Sequence, residues 1–234
     1  MYAKCGVPAK AQEVLEELPT RNVISWNALL AGYVQQGHPE KTLNAFQVMH
    51  HEGICPDSIT LTSCLKACGC VNERAKGIEM HAQIYGNVLW SMDSSIASAL
   101  VIMYANFGQL ANVEKVFNKH PVRDVVAWNA LISGYVQHGQ THRAFDSFEQ
   151  MQGEGLSPNA VTFICILKAC GNKGTIGKGM SIHDQIVRNG FFLRKKKNIA
   201  LGNSLVYMYA KFDMFMEARK VLIKEIPVQN VVSW

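Results

Sequence analysis

The chain has 234 residues, 48% of them hydrophobic, which is ample for a folded core, and no apolar run reaches the roughly 20 residues that a membrane-spanning helix needs. Its net charge of +5 suits an anionic partner without identifying one, and we expect no membrane partner. The seven cysteines cannot all pair within the chain, which favours a reducing compartment. Four of them lie in apolar helical segments and are expected to be buried: Cys64, Cys68, Cys165 and Cys170.

Three short segments recur along the chain at a shared spacing. Met-Tyr-Ala at 1–3 returns at 103–105, which is 102 residues later, and again at 208–210. Trp-Asn-Ala-Leu at 26–29 and Leu-Lys-Ala-Cys-Gly at 65–69 also return after 102 residues. One offset shared by three different segments indicates three repeat types in rotation. Such arrays bury a continuous core between neighbours, so the sequence predicts a solenoid rather than a globule.

The first complete repeat, residues 23–57, is predicted to be a helical hairpin. Its first half has the apolar spacing of an amphipathic helix, at Trp26, Leu29, Leu30, Tyr33 and Val34. Gly37 and Pro39 then favour the end of this helix and the start of the next one. The second helix is predicted from Glu40 to about His51. Its core residues are Leu43, Phe46 and Met49.

Residues 125–159 follow the same pattern and share 15 of 35 positions with residues 23–57, chiefly at core and turn residues. With the Trp-Asn segment as the anchor, the chain divides into six complete repeats between two partial ones. The boundaries are 1–22 (partial), 23–57, 58–93, 94–124, 125–159, 160–198, 199–230 and 231–234 (partial). The last two complete repeats are lengthened by insertions near 191–198 and 224–226. Because both ends interrupt a repeat, we expect a fragment, with any transit peptide outside this chain.

These segments resemble the pentatricopeptide repeat (PPR) proteins of plants, and in particular the class that alternates P, L and S repeats. The resemblance rests on the segments at 125–135, 65–69 and 1–6, and it covers essentially the whole chain. Repeat lengths of 35, 36 and 31 residues match the P–L–S order, whereas tetratricopeptide repeats keep a uniform period. The expected fold is all-α, a right-handed superhelical α-solenoid of helix-turn-helix repeats. In this scheme 1–22 is a partial S repeat, 23–57 and 125–159 are P repeats, 58–93 and 160–198 are L repeats, 94–124 and 199–230 are S repeats, and 231–234 starts another P repeat.

The resemblance also implies a function. Members of this class bind single-stranded organellar RNA and mostly direct cytidine-to-uridine editing, and longer members end in E and DYW extensions, the latter a zinc-dependent deaminase. We therefore expect single-stranded RNA as the partner, with editing-complex proteins or a deaminase supplied in trans. The expected location is the mitochondrion, with the chloroplast as the alternative. This chain is expected to lack the E and DYW extensions and to use no cofactor.

The resemblance implies that each repeat reads one base with its fifth and its last residue. An Asn amide both donates and accepts, which suits a pyrimidine edge, whereas a shorter Ser or Thr hydroxyl leaves room for a purine. The base-reading pairs are Asn27 with Asp57 for U, Ser98 with Asp124 for G, Asn129 with Asn159 for C, and Asn203 with Asn230 for C or another pyrimidine. The weaker L-repeat pairs are Thr62 with Asp93 and Ile164 with Asn198, and the Ile164 side chain cannot hydrogen-bond a base. The RNA predicted from these pairs is U-x-G-C-x-Y, read 5′ to 3′ along the chain.

Aliphatic residues at the second position of a repeat are expected to sandwich each base, and Ile24 and Val126 fit this role. Ser95 and Ala200 depart from the pattern, so their bases are expected to be held less firmly. Helix capping is the alternative for every Asn and Asp in these pairs, because both side chains accept hydrogen bonds from the first backbone amides of a helix. A residue such as Asp57 could serve as a cap alone.

The sequence contains no recognisable catalytic motif, so we predict a chain that is not an enzyme. A nucleotide deaminase needs His-x-Glu together with Pro-Cys-x-x-Cys. His38-Pro39-Glu40 matches the first segment by letter, but it lies between two predicted helices, where Pro and Glu favour a helix start. Because no Cys-x-x-Cys occurs, we predict no metal site. The basic cluster at 194–197 is interpreted as a solvated turn or as a phosphate contact.

These features favour sequence-selective binding of single-stranded RNA by a PPR array, with editing chemistry carried elsewhere. A helical-repeat scaffold for protein interactions is the alternative from another class. A third interpretation is that the truncated chain has no independent function, because its end faces lack capping repeats.

Overall fold

The computed structural model describes residues 8–87, 90, 92–120, 123–173, 175–192 and 198–224. The chain forms two compact units, residues 1–123 and 124–234. The described part of the first unit contains the helices α1 (Pro8–Glu17), α2 (Val23–Gln35), α3 (Pro39–His51), α4 (Ser58–Val71), α5 (Arg74–Gly86), α6 (Ser94–Asn106) and α7 (Leu110–Lys119). The described part of the second contains α8 (Val125–Gln137), α9 (Thr141–Gly153), α10 (Ala160–Lys173), α11 (Ile176–Arg188), α12 (Ile199–Lys211) and α13 (Phe215–Lys224).

The helices of each unit pack as consecutive hairpins. In the first unit α2, α4 and α6 stack in chain order, α3 packs against both α2 and α4, and α5 and α7 pack on α4 and α6. The second unit repeats this arrangement, with α8, α10 and α12 stacked and α9, α11 and α13 as the second helices of their hairpins. No strand occurs among the described residues. The predicted all-α solenoid of helix-turn-helix elements is confirmed.

The turns within the hairpins follow from glycine and proline. Gly37 and Gly139 have φ values of 72° and 69°, in the left-handed region that favours glycine after a helix. Pro39 occupies the first turn of α3, so this helix begins one residue before the predicted Glu40. Asp213 adopts a φ of 57° at the corresponding turn between α12 and α13. The predicted turn after the first helix and the predicted start of the second helix are therefore confirmed, to within one residue.

The apolar residues predicted for the first complete hairpin form its core. Trp26, Leu29, Leu30, Tyr33 and Met49 cluster with Leu15 of α1, and all six side chains are buried. Of the cysteines expected to be buried, three are, whereas Cys165 is half-buried; all four are free thiols. Among the described residues, no helix has the length and apolar character to cross a membrane.

Candidate nucleic-acid interface

The first helix of each hairpin is capped by the residue that precedes it. The capping residues of α2, α4, α6, α8 and α12 are Asn22, Asp57, Asp93, Asp124 and Asn198. At α10, Asn159 Oδ1 accepts a hydrogen bond of 3.0 Å from the Thr162 amide. The capping role is therefore confirmed for the last residue of every predicted repeat that the structure describes. These caps hold each side chain at a helix N-terminus, where its remaining polar atoms have a fixed direction.

A hydrogen-bonded triad joins the first predicted base-reading pair to the next helix. Asn27 Nδ2 donates to both carboxylate oxygens of Asp57 at 2.9 Å, and the Thr60 hydroxyl donates to Asn27 Oδ1 at 2.6 Å. The Asp57 amide donates to the Thr60 hydroxyl in return, at 3.2 Å, which completes a capping box. Asn27 is only 6% exposed and Thr60 is fully buried, so the amide plane is held from both ends.

The Asn27 amide nevertheless keeps hydrogen-bonding capacity. Two oxygens of one carboxylate subtend a narrow angle at a nitrogen, so a single N–H of Asn27 serves both oxygens of Asp57. The second N–H, and one lone pair of Oδ1, have no partner among the described residues. An oriented donor and an oriented acceptor on one side chain can recognise the edge of one base.

The second unit contains the same triad with one change. Asn129 Nδ2 donates to Asn159 Oδ1 at 3.2 Å, and the Thr162 hydroxyl donates to Asn129 Oδ1 at 2.6 Å. Asn129 is 8% exposed and Thr162 is fully buried. Asn159 stands where the first triad has Asp57, so it presents an amide N–H₂ instead of a second carboxylate oxygen. The two triads thus offer different hydrogen-bonding groups at one position.

The Asp57 carboxyl is held in its ionised form. Its partial burial alone would raise its pKa, but the hydrogen bonds that it accepts, chiefly from the Thr60 amide and the Asn27 side chain, outweigh this effect. The pKa of Asp57 therefore lies below its ordinary value. The first triad presents an acceptor-only group at neutral pH.

Exposed aliphatic side chains stand one helical turn before these triads. Ile24 is 73% exposed and Val126 is 48% exposed, although large aliphatic residues are usually buried. Each lies three residues before the triad asparagine, so both share its helix face. Ile59 and Val161, at the second position of the predicted L repeats, are 59% and 53% exposed. Neither Ile59 nor Val161 was predicted to contact a base, although the place of each one after a helix cap could have identified it.

The PPR repeat family matches this chain at residues 21–70 and 123–172, which include both triads. This is a pentatricopeptide repeat chain. It is 36% identical to a pentatricopeptide repeat-containing protein of Arabidopsis thaliana over 236 residues, covering 100% of this chain and 34% of that protein. A chloroplastic and a mitochondrial pentatricopeptide repeat-containing protein of the same plant are 34% and 32% identical, again over 100% of this chain and over 37% and 33% of their own lengths. The PPR chain thus spans about a third of the length of these relatives.

Solved structures support the same fold. The pentatricopeptide repeat protein PPR10 in complex with an 18-nt psaJ RNA element superposes with a TM-score of 0.74 at 20% identity, over 99% of this chain and 35% of PPR10. PPR10 from maize gives a TM-score of 0.63 at 21% identity, over 100% of this chain and 34% of PPR10. At this level of identity the likeness establishes the helical-repeat fold alone.

The other predicted base-reading residues of the PPR chain differ in their surroundings. Ser98 is buried on α6, and Asn203 is half-buried on α12. The Thr62 hydroxyl donates to the Ser58 carbonyl at 2.6 Å, and the Asp93 carboxylate accepts from Ser95, so neither of these bonds joins the two members of this predicted pair. Ile164 is half-buried, and Asn230 lies outside the described residues, as does the basic cluster at 194–197.

Thr60 and Thr162 are the polar residues that sequence reasoning missed. Both occupy the third position after a predicted P repeat, and both are fully buried. Identical residues at equivalent positions of the two copies were the available signal. His38 occupies the N-cap position of α3 without a side-chain capping hydrogen bond, and Pro39 and Glu40 lie in the first turn, so this segment starts a helix as the sequence predicted. Among the described residues, no three His, Cys, Asp or Glu side chains are grouped to hold a metal ion.

Proposed function

We propose that this PPR chain binds single-stranded RNA in a sequence-selective manner and that each triad reads one base. One observation carries the proposal: two copies of a buried asparagine are held by a threonine and by the last residue of their repeat. Among the described residues the amide of each asparagine keeps hydrogen-bonding atoms without a partner, and an exposed aliphatic side chain lies one helical turn away. Because these side chains are already ordered in the free protein, little side-chain entropy is lost when a base binds.

The difference between the two triads gives a physical basis for discrimination. Uracil carries an N–H donor at the ring position where cytosine carries an acceptor nitrogen. The ionised Asp57 can accept from uracil and repels the cytosine acceptor, whereas the Asn159 N–H₂ group can donate to cytosine. The Asn27–Asp57 pair is therefore assigned to U, and the Asn129–Asn159 pair to C.

The aliphatic residues supply the second part of the interaction. A base inserted between Ile24 of one repeat and Ile59 of the next would bury apolar surface that is now exposed to water. Exposed lysines on the same set of first helices, Lys66 and Lys168, can approach the phosphates. Binding should therefore weaken as the salt concentration rises.

The remaining assignments follow the same scheme. We propose Ser98 with Asp124 for G and Asn203 with Asn230 for a pyrimidine, the L-repeat pairs Thr62 with Asp93 and Ile164 with Asn198 as weaker positions, and U-x-G-C-x-Y as the RNA. We further propose the P–L–S division of the chain, action in the mitochondrion or chloroplast, and a role in cytidine-to-uridine editing whose catalysis lies outside this chain.

A binding experiment tests the RNA-reading proposal. Fluorescence anisotropy with labelled U-A-G-C-A-C RNA, its complement and a scrambled RNA of equal composition should give the tightest binding to the first. Asn129→Ser should change the preference at the fourth nucleotide only, toward a purine, and the matched Asn27→Ser should do so at the first nucleotide only. Equal affinity for the three RNAs, or unchanged profiles in both variants, would overturn the assignment.

A groove on the second helices favours the protein-interaction alternative. It has a volume of about 670 Å³ between α3 and α5, with Phe46 and Met80 in its lining. In the second unit the corresponding groove between α9 and α11 is only about 110 Å³. There Lys178 lies 3.9 Å from the Glu149 carboxylate and 4.3 Å from the Phe145 ring centroid. Gln47 and Leu43 take the positions of Glu149 and Phe145 in the first unit, so the equivalent Lys76 lacks the partners that Lys178 has at those two positions, although Glu79 also lines the groove.

This groove suits a peptide that brings a carboxylate next to an aromatic side chain. Closing the groove with Gln47→Glu and Leu43→Phe, which copy the second unit, should abolish such binding and leave RNA binding unchanged. Crosslinking of the intact chain to RNA, with no binding of such a peptide by the parent chain, would favour the RNA-binding function alone.

A further inference from the structure

An exposed tyrosine lies beside the predicted base-reading residue of the last S repeat. Tyr207 is 48% exposed and lines a groove of about 450 Å³ with Lys168, Asn203 and Ser204. It follows Asn203 by four residues and Ala200 by seven, so the three side chains share one face of α12. A half-exposed aromatic ring at this place is not needed for the core, which the buried Leu205 and Met208 supply.

The ring is held in position by the helices beneath it. A Cβ atom at Gly171 of α10 would be 3.4 Å from Tyr207 Cε1, an ordinary van der Waals distance, so the ring lies next to the backbone of α10. Lys211 Nζ lies 5.4 Å from the ring centroid, within the range of a cation–π contact. The tyrosine is thus a supported aromatic surface with an ammonium group at its side.

The first S repeat has no such surface. Ile102 and Asn106 occupy the positions that correspond to Tyr207 and Lys211, and Ile102 is half-buried. The two S repeats also differ from the P repeats at position two, where Ser95 and Ala200 replace the exposed aliphatic residues Ile24 and Val126. In the second S repeat, the small Ala200 side chain offers little apolar surface on this helix face, and the Tyr207 ring supplies it instead.

We propose that Tyr207, with Lys168 and Lys211, forms an additional RNA-binding site in which the ring stacks on one base and the two ammonium groups contact the neighbouring phosphates. This inference rests on the proposed RNA-binding function. Stacking on an aromatic side chain requires no particular base, because every base presents a π face. The site therefore adds affinity at the 3′ end of the bound RNA and leaves base selection there to Asn203.

Substitutions copied from the first S repeat test the site. Tyr207→Ile should weaken binding to U-A-G-C-A-C by roughly five- to twentyfold, the lower part of the range for base–aromatic stacking, because isoleucine keeps some apolar contact. Tyr207→Phe keeps the ring and should bind like the parent chain. Lys211→Asn should weaken binding chiefly at low salt and reduce the salt dependence. Circular dichroism spectra and unfolding midpoints should match the parent chain, because both side chains are exposed.

An abasic RNA series locates the stacked base. With an abasic nucleotide at the stacked position, near the 3′ end, Tyr207→Ile and the parent chain should bind equally, whereas abasic sites elsewhere should leave the loss intact. Equal binding of Tyr207→Ile and the parent chain to the intact RNA would overturn the site while leaving the RNA-binding function standing. A parent chain that binds none of the single-stranded RNAs would overturn the proposed function itself.

Discussion

Replacing Thr60 by valine removes a single buried hydroxyl and should disable the first triad without changing its shape. Valine is nearly isosteric with threonine, and position 60 is fully buried, so no cavity or clash is introduced. The hydroxyl now donates to Asn27 Oδ1 and accepts from the Asp57 amide. Both bonds are lost in Thr60→Val, and the buried Asn27 carbonyl is left without its donor.

The magnitude follows from these two bonds. An ordinary hydrogen bond contributes about 0.5–1.5 kcal/mol net, and a buried acceptor left without a partner costs about 1–3 kcal/mol. Since the Asp57 amide lies nearer to solvent, most of the cost comes from Asn27. We expect the free energy of unfolding to fall by about 2–3 kcal/mol in Thr60→Val. RNA binding should weaken as well, because the Asn27 amide is no longer held in one orientation.

Urea unfolding followed by circular dichroism measures the loss. Thr60→Ser is the matched control, because it keeps the hydroxyl and removes only a methyl group, and Thr162→Val repeats the experiment in the second triad. Thr60→Val should unfold at clearly lower urea than Thr60→Ser. If the valine variant is as stable as the parent chain and binds RNA equally well, the Thr60 hydroxyl does not hold Asn27 in place.

Two further predictions concern stability. Gly177→Ala should raise the free energy of unfolding by about 0.5–1 kcal/mol, because a Cβ atom at this helical position meets open space. Gly179→Ala should lower it, because a Cβ atom there would lie 2.2 Å from Met208 Sδ. Equal unfolding midpoints of the two variants would contradict this pair of predictions. His81 should make stability depend on pH: burial, followed by nearby positive charges, lowers its pKa to about 4 from an unfolded value near 6.5. Between these two pKa values the unfolded chain binds more protons than the folded chain, so the free energy of unfolding falls as the pH falls from about 6.5 toward 4. In His81→Phe, unfolding midpoints measured across this pH range should fall less than in the parent chain. An equal fall in the two chains would refute the assignment to His81.

The sequence predicted the helices well because their signals are local. The spacing of Trp26, Leu29 and Tyr33 defines a buried helix face, and Gly37 and Pro39 define the turn, so nothing distant is needed to place α2 and α3. The candidate site was predicted only in part. Asn27 and Asp57 lie 30 residues apart, and their direct contact depends on how α2 packs against α4, which no local pattern encodes.

The missed residues have the same explanation. Thr60 reads from sequence as an ordinary residue in the first turn of a helix, and only the packing of the two helices turns its hydroxyl toward Asn27. Tyr207 departs from its counterpart Ile102, but its exposure and its position over Gly171 depend on tertiary contacts. Comparison of the repeats identifies equivalent positions in the sequence, whereas helix packing determines which groups the side chains at those positions contact.

The reciprocal exchange of the last residues, Asp57→Asn in one variant and Asn159→Asp in another, tests base reading most directly. Both substitutions keep a good helix cap, so stability should change little. Measured against RNAs that differ only by U or C at the first and fourth nucleotides, Asp57→Asn should shift the first preference toward C and Asn159→Asp the fourth toward U. Each shift should be roughly five- to tenfold, the value of about one hydrogen bond. Unchanged U and C preferences in both variants, with the helices intact, would show that these residues are caps and do not read RNA.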